Sequence, residues 1–115
     1  MSKRSDLVPL GDMYDTARRV AAKVQGITRA NFDADENLRL ALAHLLQTIG
    51  EAARRVSPEM RSEQPEIPWA KITGMRNKIV HDYTHLDENE VWRTATEDIP
   101  ELVTWLAAFV PSDPQ

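Results

Sequence analysis

Apolar residues recur at helical spacing in four stretches of this chain and alternate nowhere over a useful length. Leu7, Leu10, Met13 or Tyr14, Ala17, Val20, Ala21 and Val24 step by three and four, which predicts an amphipathic helix with Gly26 as its stop. The strongest periodicity follows. Leu38, Leu42, Leu45, Ile49, Ala52 and Val56 step by four, three, four, three and four. Asp33 with Glu36 three residues later reads as a capping box for that helix. Arg54 and Arg55 near its end suit the negative pole of the helix dipole. Ser57-Pro58 closes it, because the residue before proline is pushed out of the helical region.

Residues 57 to 68 hold three prolines among charged residues and read as a connector with room for one helical turn. Pro68 is placed as the first residue of a third helix, where its missing amide costs nothing. Trp69, Ile72, Met75, Ile79 and Val80 supply that helix's stripe. Asp87 and Glu90 form a second capping-box pattern. It opens a fourth helix carrying Trp92, Ala95, Ile99, Leu102, Leu106 and Phe109. Pro100 interrupts it, by a kink or by a stop and restart with Asp98 as cap and Glu101 three residues on; the pattern leaves both open. The expected fold is all-α, with four main helices and no solenoid repeat.

Composition narrows the class. A chain of 115 residues is expected to form a single domain over 1–115, with a core at about 7–110 and a polar, fraying tail at 111–115. With 42% hydrophobic residues it has material for one modest core. The absence of cysteine removes disulfides, thiolate catalysis and Cys-type zinc sites. A net charge of −4 disfavours general coating of polyanions, though a local basic site remains open. No signal-peptide run and no membrane-spanning stretch is apparent, so a cytoplasmic protein is expected.

The chemistry-bearing segment is Arg76-Asn77-Lys78-Ile79-Val80-His81-Asp82-Tyr83. A guanidinium binds phosphate through a planar fork and stays charged. An imidazole takes and gives protons near neutrality. RNA carries its own nucleophile in the 2′-hydroxyl. Together these groups suffice for transesterification without a metal. On a straight helix Tyr83 lies about 20° from Arg76, while His81 lies about 140° away. Either the helix ends near Val80, or a second copy of the motif supplies the missing group across a two-fold interface. Residue types alone leave a bland reading open, in which Arg76 pairs with a surface carboxylate and His81 and Tyr83 plug the edge of the core.

The wider string weighs against the bland reading. Ile49-Gly50-Glu51-Ala52-Ala53, Ile67-Pro68-Trp69, Gly74 to Tyr83 and Val91-Trp92 together resemble the HEPN superfamily, and within it the HepT-type toxin ribonucleases. The R-x4-H-x-Y motif is intact at Arg76, His81 and Tyr83, with the usual polar neighbour present as Asn77. The resemblance implies an antiparallel four- to five-helix bundle that forms a two-fold homodimer with both motifs in a shared cleft. It further implies metal-independent RNA cleavage with Arg76 and His81 catalytic, leaving a 2′,3′-cyclic phosphate and needing no cofactor. It implies a partner as well, a minimal nucleotidyltransferase antitoxin that adenylylates Tyr83. AMP there would block RNA by charge and volume.

Other residues are weighed against simpler roles. His81 and His85 stand at zinc-binding spacing, but no third ligand is placed, so no metal site is assigned. Glu51 falls roughly opposite the stripe of its helix; a solvated carboxylate is the default, and the alternative is support for Arg76. Trp69, Trp92 and Trp105 fit core or interface packing better than base stacking. Arg18-Arg19, Arg54-Arg55 and Lys71 read as solvated charges before phosphate contacts. Beside the ribonuclease reading stand two others: a non-catalytic HEPN module that binds nucleotide or docks on a partner, and a plain helical adaptor.

Overall fold

The structure is a computed structural model that describes residues 3–82 and 85–109, with the backbone alone at 3, 4, 81 and 82. The helices are α1 (Lys3–Val24), α2 (Arg29–Ala34), α3 (Glu36–Arg54), α4 (Pro58–Glu63), α5 (Trp69–Thr73), α6 (Met75–Ile79), α7 (Glu88–Arg93) and α8 (Ile99–Ala107). Two short strands, β1 (Val80–Asp82) and β2 (His85–Leu86), stand between α6 and α7.

The expected all-α architecture holds, as three long tracks and one broken one. α1 and α3 run antiparallel, since Asp6 and Asp12 near the start of α1 bond Ser57 and Arg55 at the end of α3. The third track is α7, a π-helical turn (Thr94–Asp98) and α8, and it returns along α1. Most of the predicted stripe positions face inward: Leu10, Met13, Ala17 and Val20 meet Leu42, Leu46, Ile49, Ile99 and Leu106, all but fully buried, whereas Leu7 stays 41% exposed. Each large aliphatic side chain so buried contributes about 1.5–3 kcal/mol. Among the described residues no helix is long and apolar enough to cross a membrane.

Several boundaries differ from the pattern. α1 begins at Lys3 rather than near Leu7 and carries Pro9 inside it. It is fastened there by the buried Asp6, which accepts from the Ser57 amide at 2.8 Å and from Ser57 Oγ at 2.7 Å. Gly26 does end the α1 segment, in the left-handed region at φ +74°. The capping box at Asp33 and Glu36 is corrected. An extra short helix intervenes, opened by a reciprocal box between Thr28 and Asn31. Asp33 lies within it and pairs with Arg29 at 2.8 Å. The cap of α3 is Asp35, which accepts from the Leu38 amide.

The third expected helix is broken in two at Gly74 and stops at Ile79; Val80 leaves it in extended conformation. Pro68 caps the first half instead of opening it. Asp87 caps α7 as expected, accepting from the Glu90 amide at 3.1 Å, but the Glu90 carboxylate turns to Arg93. At Pro100 the track continues. The Ile99 amide reaches the Thr94 carbonyl across a π-type turn, and Asp98 is helical with no capping bond. A wider turn relieves the clash between the proline ring and the carbonyl four residues earlier. Residues 110–115, which include the expected polar tail at 111–115, lie outside the described residues.

Candidate functional site

The described part of the motif, Arg76 to Asp82, occupies α6 and the strand that follows it. Met75 and Ile79, four residues apart, are both buried and anchor α6 on the core. Arg76, Asn77 and Lys78 between them are consequently all exposed. No described carboxylate or carbonyl holds Arg76, so its guanidinium is open to an incoming anion.

The backbone settles half of the angular question. The Val80 amide still bonds the Arg76 carbonyl, but Val80 itself is extended, with φ −97° and ψ 104°. His81 therefore stands on strand β1, and the 140° of a straight helix does not apply to it. β1 pairs with β2 antiparallel through Val80 with Leu86 and Asp82 with His85, with a bulge between the two pairs. The Asp87 amide continues the ladder by bonding the Ile79 carbonyl at 2.7 Å. The chain thus leaves α6 at Val80, and Asp87, the cap of α7, lies back beside Ile79. The side chain of His81 and the whole of Tyr83 lie outside the described residues.

Glu51 is exposed on α3, and its ion-pair partner is Arg54 at 3.9 Å. Arg54 in turn donates to the Thr73 carbonyl at 3.1 Å, so this residue of α3 reaches the end of α5. Gly50 makes that approach feasible: a Cβ there would stand 3.0 Å from the Ile72 carbonyl oxygen. Of the other cations named for phosphate, three have neighbours of their own, while Arg19 is exposed. Arg55 pairs with Asp12 at 2.9 Å, Lys71 with Asp98 at 3.2 Å, and Arg18 lies 5.4 Å over the Tyr14 ring.

One charged cluster escaped the sequence reading. Arg93 joins Glu90 at 2.6 Å and Asp98 at 3.0 Å, and Lys71 reaches the same Asp98 oxygen from α5. Hydrogen bonding to Glu90 and then to Asp98 raises the Arg93 guanidinium further above its ordinary range. The Arg93 hydrogen bond holds the Glu90 carboxyl below its usual value. The only advance signal was the i, i+3 spacing of Glu90 and Arg93. The tryptophans pack as expected. Trp69 is buried with its indole N–H on the Gln64 carbonyl, and Trp92 lies 5.0 Å from the Phe32 ring. Trp105 is half-buried against the core.

A bundle of this shape, with an arginine at a helix end and the histidine of its motif on the next strand, defines a class. The chain belongs to the HepT-like ribonuclease family of the HEPN superfamily, whose model matches residues 13–108. It is 32% identical over 100 residues to a protein of Thermococcus cleftensis described as "Probable ribonuclease HepT", covering 87% of this chain and 91% of that one. It is 31% identical over 102 residues to "Putative RNase MJ1380" of Methanocaldococcus jannaschii, covering 89% and 94%. A protein of Caldanaerobacter subterraneus, "Putative RNase TTE0752", is 36% identical over 80 residues, covering 70% and 71%. No solved structure matches the chain significantly.

Proposed function

We propose that this protein is a metal-independent endoribonuclease, the toxin of a toxin–antitoxin pair in the cytoplasm, acting at a cleft shared by two copies. The observation that carries the proposal is the exposed Arg76, without a partner among the described residues, on a helix that ends one residue before the strand bearing His81. Membership of the HepT-like family supports it, as do the ribonuclease descriptions of the relatives.

In the proposed reaction His81 accepts the proton of a ribose 2′-hydroxyl while that oxygen attacks the adjacent phosphorus. The P–O5′ bond breaks, the 5′-oxygen leaves with a proton given back by the imidazolium formed at His81, and a 2′,3′-cyclic phosphate remains. Arg76 binds the phosphate through its fork and stabilises the charge that builds on the crowded phosphorus. Asn77 is a neighbouring donor to the same backbone. Glu51 acts at one remove, through Arg54 and the end of α5. Tyr83 is the proposed site of adenylylation by a partner nucleotidyltransferase, a modification that adds charge and bulk to the motif.

The homodimer no longer follows from helix angles, because α6 stops before His81. It rests on the family resemblance and on the outward presentation of Arg76, and light scattering near twice the chain mass is the expected result. The deciding experiment incubates RNA with the protein in EDTA. Wild type cuts and leaves cyclic-phosphate ends. His81→Ala does not cut, and Arg76→Lys loses most activity because an ammonium lacks the fork. RNA bound but left intact by the wild type would favour the non-catalytic module instead, a reading that the net charge of −4 suits.

A further inference from the structure

Two residues of α3, one helical turn apart, meet the same end of α5. Gly50 lets the Ile72 carbonyl come within 3.0 Å of the space a Cβ would fill, and Arg54 Nη2 donates to the next carbonyl, Thr73, at 3.1 Å. These carbonyls belong to the last turn of α5, where donors from within a helix run out. Gly74 follows at once and α6 starts at Met75. The joint is short: the Gly74 amide bonds the Ala70 carbonyl and the Asn77 amide bonds the Gly74 carbonyl, both at 3.0 Å. Whatever fixes Thr73 therefore fixes the pivot from which Arg76 projects, two residues beyond Gly74.

Arg54 is half out in solvent, and its carboxylate partner, Glu51, stands at the 3.9 Å edge of ion pairing. Its one close bond is to the main chain of the element that leads into the motif. We infer that Arg54 is a positioning residue, which holds the α5–α6 joint so that Arg76 sits at the correct distance from the scissile phosphate. The inference rests on the ribonuclease reading of Arg76 for its functional half. Its mechanical half stands on the Gly50 and Arg54 contacts.

The test compares Arg54→Ala and Arg54→Lys with wild type in two readouts. In RNA cleavage, Arg54→Ala lowers kcat about tenfold with KM little changed, since small misplacements of a reacting group are costly in rate. Arg54→Lys recovers part of this by returning one donor to the Thr73 carbonyl. In amide hydrogen exchange, the Gly74 and Asn77 amides of Arg54→Ala exchange faster, while those of Val20 and Leu46 hold. A raised KM with a weaker salt dependence would instead make Arg54 a direct phosphate contact and overturn the inference. Unchanged exchange at Gly74 and Asn77 overturns it whatever the activity. If wild type leaves RNA intact, the ribonuclease reading fails, and exchange alone then decides whether Arg54 holds the joint.

Discussion

Replacing Gly50 by alanine sets helix propensity against a contact imposed by the tertiary fold. In an open helical position the change stabilises by about 0.8–1 kcal/mol, because glycine loses the most backbone freedom on folding. At Gly50 the new Cβ would stand 3.0 Å from the Ile72 carbonyl oxygen, with Met75 Cβ at 3.8 Å and the Thr73 oxygen at 3.9 Å behind it. That is about 0.3 Å inside the shortest usual carbon–oxygen contact, and overpacking of this kind costs about 1–3 kcal/mol. The net expectation is a loss of about 1 kcal/mol. Gly11 supplies the control, because it lies within α1 and a Cβ there meets nothing within 4 Å. Gly11→Ala should stabilise by about 1 kcal/mol, so the gap between the two variants, about 2 kcal/mol, isolates the contact. Urea denaturation at fixed protein concentration measures both, and the slope should stay unchanged. Cleavage of RNA should fall in Gly50→Ala and not in Gly11→Ala, since Ile72 and Thr73 lead into α6. A Gly50→Ala protein stabilised as much as Gly11→Ala would refute the close approach of α5 to α3.

Asp6→Ala strands the amide and hydroxyl of Ser57 in a buried setting, and should cost about 3 kcal/mol or more in chemical denaturation; a loss under about 1 kcal/mol would mean water replaces the carboxylate. Glu90 has a folded-state pKa below its ordinary 4.5, so its stabilisation is present above that value and is lost as pH falls through the lowered one. Glu90→Gln should accordingly flatten the acid limb of a stability–pH curve, and an unchanged limb would dismiss the pair as a contributor. Supplied with ATP and the partner nucleotidyltransferase, the protein should gain one or more AMP masses and stop cutting RNA, while Tyr83→Phe escapes both. Full inhibition of Tyr83→Phe without a mass shift would point to steric blocking.

The long helices were legible in the chain because their cause is local. A stripe such as Leu38 to Val56 repeats every turn, and any partner with an apolar face will bury it. Asp87 could be read as a cap because its bond spans three residues. The string from Arg76 to Tyr83 was legible as a motif for a similar reason, since spacing within eight residues is a property of the chain. By contrast, the Asp33 cap was misplaced by two residues because the Thr28–Asn31 box, equally local, competes for the same stretch.

Contacts between elements distant in the chain had no such local cause. The bond from Asp6 to Ser57 spans fifty-one residues, and neither residue carries a pattern that announces the other. The break at Gly74 answers to α3, where Gly50 and Arg54 receive the carbonyl end of α5. The turn into β1 follows from the same docking. Met75 and Ile79 fill the core, the chain must leave the helix there to return to α7, and a two-residue ladder satisfies the backbone as it does so. Residue order alone decides which side chains the motif carries. Packing decided that Arg76 and His81 stand on different elements, because where a helix stops depends on what its neighbours leave room for.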